Sequence, residues 1–146
     1  MSLPVEADFA LVKIGDGASP EVYTILCGMD NVSINRTANT NDRFRRDCTK
    51  PGEVPYRRTQ TTGKQMDITA NGALNIPDID TYNTYLGVRR NFKIELGQRD
   101  GTDAGTIIHE ITGPFVLTSA NSSVGDESTA ETTLVSDGIW TEAAVP

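Results

Sequence analysis

The chain has 146 residues, 37% of them hydrophobic, and a formal net charge of −7. That length is one domain's worth and allows a modest apolar core wrapped in Ser, Thr, Asn and Gly. The acidic balance argues against nucleic-acid binding, because neutralising phosphate takes Lys and Arg. The charge is also unevenly spread. Eight basic and three acidic residues lie from Arg36 to Lys64, whereas Gly101 to Pro146 holds seven acids and no Lys or Arg. Such asymmetry points either to a partner, for instance a second copy meeting head to tail, or to neutralisation within one fold. Charge alone leaves both open.

Taken in chain order, short apolar runs alternate with turn residues. Phe9–Ile14 predicts a strand stopped by Gly15-Asp16-Gly17. Val22–Cys27 predicts a second and Val32–Arg36 a third, in which Val32 and Ile34 face one way and Ser33 and Asn35 the other. From Ala38 to Thr62 the periodicity vanishes in Arg, Asn, Thr, Asp and Pro. So long a stretch without pattern is normally functional or disordered. Here it predicts a long arm or extended hairpin leaving the body, over about 37–62. Met66–Leu74 predicts a strand with Met66, Ile68 and Ala70 on the buried face and Asp67, Thr69 and Asn71 on the polar one.

One helix is expected next, with Asp78 as its cap, an apolar stripe of Ile79, Tyr82, Tyr85 and Leu86, and Gly87 as its stop. Strands resume with Phe92–Leu96, and Asp100–Gly105 reads as the turn into Ile107–Thr112. Gly113-Pro114 predicts a break before Phe115–Ser119. Ala120–Thr129 reads as a mobile loop by composition. Thr132–Ser136 and Ile139–Thr141 close the chain as a pair hinged at Asp137-Gly138. Eight or so short strands and one helix predict a mainly β fold, a β-sandwich or barrel with one flanking α-helix and a long extended loop.

Catalytic signatures are missing from the sequence. His109 is the one histidine and sits in a strand pattern, so no Ser/His/Asp or Cys/His set can be assembled around it. Cys27 and Cys48 match no zinc or redox spacing and read as reduced thiols. No cofactor and no metal is expected, and no enzymatic activity. No basic-then-apolar N-terminal segment and no membrane-length run is present, so neither secretion nor membrane binding is expected.

The order Phe9-Ala-Leu-Val-Lys-Ile-Gly-Asp-Gly17, then Pro20-Glu-Val-Tyr-Thr-Ile-Leu-Cys-Gly28 and Val32-Ser-Ile-Asn35, resembles the opening of major tail tube proteins of siphophages and related gene transfer agents. The polar loop, the strand Gln65-Met-Asp-Ile-Thr-Ala-Asn-Gly72 and the short helix extend the resemblance over nearly the whole chain. It implies a subunit of homohexameric rings that stack into a tube around a tape measure protein. Tail terminator and tip proteins would be further partners. Viral DNA would pass through without specific binding, and the protein would reside in the virion tail after assembly in the host cytoplasm.

Stacking requires an interface that repeats without closing. Arg43, Arg45, Arg46, Arg57 and Arg58 of the arm are candidates for one half, and Asp126, Glu127, Glu131 and Asp137 for the acidic other half. Ser33, Asn35, Thr118 and Asn121 are candidates for the lumen, where small polar side chains would not hold phosphate. Two alternatives remain. One is another self-assembling virion, secretion-tube or decoration protein. The other is a small β-sandwich binding module, for which carbohydrate would require more exposed aromatics than Trp140 and four Tyr supply.

Overall fold

The computed structural model describes residues 3–145. Among these, the strands are β1 (Phe9–Gly15), β2 (Tyr23–Ile25), β3 (Asn31–Arg45), β4 (Tyr56–Ala73), β5 (Arg89–Gln98), β6 (Thr106–Ser123), β7 (Thr129–Ser136) and β8 (Thr141–Ala144). A 3-10 turn, Ile76–Asp78, leads into α1 (Ile79–Tyr85) between β4 and β5. All strand pairs are antiparallel, in the order β2-β1-β5-β6-β7-β4-β3, with β8 added to β6. No helix among the described residues is long and apolar enough to cross a membrane.

The expected alternation builds the core. Val12 and Ile14 of β1 stand opposite Ile94 and Phe92 of β5, and all four are buried. Met66, Ile68 and Ala70 of β4 are fully enclosed, as expected. Across the sheet, Ile68 is aligned with Ile34 of β3 and Leu134 of β7, which in turn stands opposite Leu117 of β6. Phe92 and Phe115 meet edge to face at 6.4 Å. The two halves of the sheet thus share one apolar core. Each large side chain taken fully out of water there contributes about 1.5–3 kcal/mol.

β6 joins the halves, pairing with β5 along its first part and with β7 along its second. Its single 18-residue run corrects the expected break at Gly113-Pro114. The carbonyl of Pro114 accepts from the Asp137 amide at 3.0 Å. The nitrogen of a strand residue points to the same edge as its carbonyl, so the missing N–H faces away from β5 and costs that ladder nothing. Gly113 is needed for another reason: a Cβ there would lie 2.7 Å from Trp140.

Three other expectations are corrected. The last strand, Thr141–Ala144, pairs with β6 and not with β7. Ala120–Ser123 belongs to β6, leaving only residues 124–128 as a turn. Asp78 occupies the N-cap position of α1 without a side-chain cap bond. Its Oδ2 instead accepts from the Cys27 amide at 3.0 Å and from Asn75 Nδ2 at 2.9 Å, tying the loop after β2 to the helix. Gly87 stops the helix at φ 78°, as expected. Of the predicted stripe, Tyr82 is buried, whereas Ile79 and Leu86 stay partly exposed.

Candidate assembly surfaces

The stretch read as a long arm or extended hairpin is a regular two-stranded ribbon. β3 and β4 continue pairing beyond the body, from Thr37↔Gln65 to Arg45↔Tyr56, with one bulge at Asn39/Thr40. At ~3.4 Å per residue the ribbon projects about 30 Å. Sequence periodicity fails here because both faces are in solvent, so alternation carries no apolar contrast. The tip is ordered by Asp47, whose Oδ1 accepts from the Thr49 amide at 2.9 Å and hydroxyl at 2.8 Å. Those donors hold its carboxyl below the ordinary value.

The structure divides the arm's cations. Arg43 stands opposite Arg58, and Arg45, two residues on, shares their face. Arg57 stands opposite Phe44 on the other face. Arg46 begins the tip. All five arginines are exposed, and none makes a salt bridge among the described residues. Like charges directly opposite, as in Arg43 and Arg58, weaken a ribbon. Phe44 and Tyr56, together with Val54 of the tip, are 71%, 77% and 82% exposed. They are the functional candidates that sequence reading missed. The signal was two aromatics set among arginines in a stretch whose only other large apolar residue is Val54.

The expected acidic half does not stay together. Glu131 lies at the end of β7 remote from the arm, and Asp126 and Glu127 lie in the adjoining turn. Glu127 and Glu131 line a groove of about 720 Å³ with Asp30, Asn71 and Asn121. Asp137 stands apart from these three. It sits at the opposite end of β7, bonded to Arg89 Nε at 3.3 Å. Glu142 is likewise engaged, by Arg36 at 2.6 Å and with His109 at 4.0 Å. Internal neutralisation therefore accounts for Arg36 and Arg89 but not for the arm.

Four strands present one polar face. Cross-strand rows read Asn121, Glu131, Asn71, Asn31 and then Ser119, Thr133, Thr69, Ser33. Asn35 follows in the row of Asp67 and Val135. Ser33, Asn35 and Asn121 therefore share a face, which carries two acids and no Lys or Arg within these rows. Thr118 departs from it: it is the extra residue of the bulge between Leu117 and Ser119, and its hydroxyl donates to Thr133 O at 3.3 Å. The layer ends in two open edges, the outer side of β3 and the Ser119–Ser123 part of β6, where β5 no longer pairs.

No family model and no curated protein matches the chain by sequence. Solved structures do match. A chain of the virion of a native gene transfer agent particle superposes with a TM-score of 0.65 at 18% identity, covering 97% of this chain and 100% of that one. A chain from the tail of an empty gene transfer agent particle with C6 symmetry gives 0.65 at 19% identity, covering 92% and 95%. A chain from the extended sheath–tube complex of an extracellular contractile injection system gives 0.63 at 17% identity, covering 99% and 95%. Over nearly its whole length the chain thus has a tail-tube-like β fold.

Proposed function

We propose that the protein is a structural subunit of a phage-type tail tube, not an enzyme. Six copies form a ring, and rings stack head to tail into a hollow conduit for DNA. The observation that carries this reading is the polar four-strand face, free of basic side chains and bounded by two open strand edges. An open edge is a hazard unless a neighbour covers it. Here the four strands alternate in direction, so β3 and β6 run oppositely. A ring of like-oriented copies can therefore place β3 of one against β6 of the next and keep every pair antiparallel. The joined faces would line a lumen with Ser33, Asn35, Asn121 and the acids Asp67 and Glu131. Such a wall repels phosphate, the opposite of the basic groove of a binder.

The likeness to a chain of a C6-symmetric gene transfer agent tail supports the ring of six. The arm and the acidic groove lie at opposite ends of the same sheet, as a repeating contact between rings requires. In this reading the protein resides in the tail of a siphophage or a gene transfer agent, assembled in the host cytoplasm. A tape measure protein would fill the growing lumen, and terminator and tip proteins would bound the tube. Negative-stain electron microscopy across a concentration series tests the proposal. Hollow tubes of uniform width, or six-fold rings, are expected. Monodisperse monomers at every concentration would contradict it.

A further inference from the structure

Resting on the tube reading, we infer that the arm is held by an apolar anchor as well as by charge: its tip docks into a groove beside β1 of another copy. The groove has a volume of about 1170 Å³ and runs between β1, the loop Leu26–Asp30 and the Asp100–Gly105 turn. That exceeds the ~300–1,000 Å³ common for small-molecule sites and suits a chain segment better. Leu11, Ile25, Leu26 and Met29 supply apolar lining. β2 pairs with β1 only at Lys13–Gly15, so the edge of β1 over Phe9–Leu11 has no strand partner on that side among the described residues. An incoming strand can bond to such an edge.

Charge complementarity selects the arm as occupant. The charged lining of the groove is four carboxylates against two cations, and one of those, Lys13, is already bound to Glu95 at 2.6 Å. Asp8, Asp30 and Asp103 remain on the rim. The arm offers the converse. Phe44, Val54 and Tyr56 are its exposed apolar residues, and Arg43, Arg45, Arg46, Arg57 and Arg58 surround them in sequence. Aromatic residues ringed by Arg are the composition of interface anchors. One wall of the groove, the loop Leu26–Asp30, leads into β3 at the end remote from the arm. Asp30 borders both this groove and the polar one, so a docked tip would have acids on either side.

Two native cysteines report on the contact. Cys48 is exposed in the arm tip, and Cys27 is exposed in the wall of the groove. A short-spacer bismaleimide added to assembled wild-type protein should give multimers joined through a Cys27–Cys48 peptide pair identified by mass spectrometry. Cys27→Ser and Cys48→Ser should each abolish that product. In parallel, the double variant Phe44→Ser/Tyr56→Ser should raise the concentration needed for assembly at least tenfold. Tubes that form at the normal concentration from the double variant, or that lack the Cys27–Cys48 product, would overturn the docking. Wild-type protein that forms neither tubes nor rings would instead overturn the proposed function itself.

Discussion

The hairpin of β3 and β4 is one ribbon with two contrasting halves. In the inner half, Val32 and Ile34 pair with Ala70 and Ile68, β7 covers the far side of β4, and one face is sealed in the core. In the outer half the same two strands continue with every side chain from Thr37 to Arg45 exposed and no third strand among the described residues. A free two-stranded ribbon is marginal in water. The inner half holds the subunit together, and the outer half, in the function proposed above, meets another copy. Mutations should separate the two.

The largest effect belongs to the body. Ile68→Ala leaves a cavity among fully buried neighbours and should cost about 2–5 kcal/mol in urea unfolding. Phe44→Ala, in the arm, should move the same midpoint by less than ~0.5 kcal/mol. A large loss from Phe44→Ala would mean that the arm folds back onto its own body in solution.

Gly72→Ala ranks next. A Cβ at Gly72 would collide with the carbonyl oxygen of Gly28, so β4 and the loop after β2 touch backbone to backbone. Destabilisation by about 2 kcal/mol is expected. Asp78→Ala removes the acceptor for Cys27 and Asn75 and should cost about 1 kcal/mol. An unchanged melting curve would show that this carboxylate does not secure the loop.

The smallest effect is a pH dependence. Tyr82 is buried with no partner for its hydroxyl among the described residues, and burial pushes its pKa up to about 12. An unfolded tyrosine ionises near pH ~10. Stability should therefore be intact below that pH and fall as pH rises through about 12. Tyr82→Phe should flatten this alkaline limb. An identical limb in the variant would assign it to other groups.

Legibility in the sequence follows burial. Where one face is sealed, as at Met66, Ile68 and Ala70 or Phe92 and Ile94, period two marked the strand and its inward residues. Where both faces are wet, as from Thr37 to Arg45, only backbone pairing defines the strand, and the stretch was legible as an arm or extended hairpin but its register was not. Gly113-Pro114 misled because the edge on which a missing N–H falls depends on which neighbour each side has. The acidic set scattered for a similar reason: Glu131 and Asp137 are close in sequence, yet β7 carries them to opposite ends. Ser33, Asn35 and Asn121 came together because they share a parity across paired strands. Thr118 did not, since a bulge interrupts the count.

The division of labour within the hairpin is tested most directly by reversing the arm's charge, Arg43→Glu/Arg45→Glu/Arg46→Glu, and following sedimentation and thermal unfolding on the same preparation. The account predicts a wild-type melting temperature and no sedimenting tubes, with wild-type assembly itself weakened by salt as pairing over about 8–10 Å is screened. Tubes at the wild-type yield from the triple variant would contradict it.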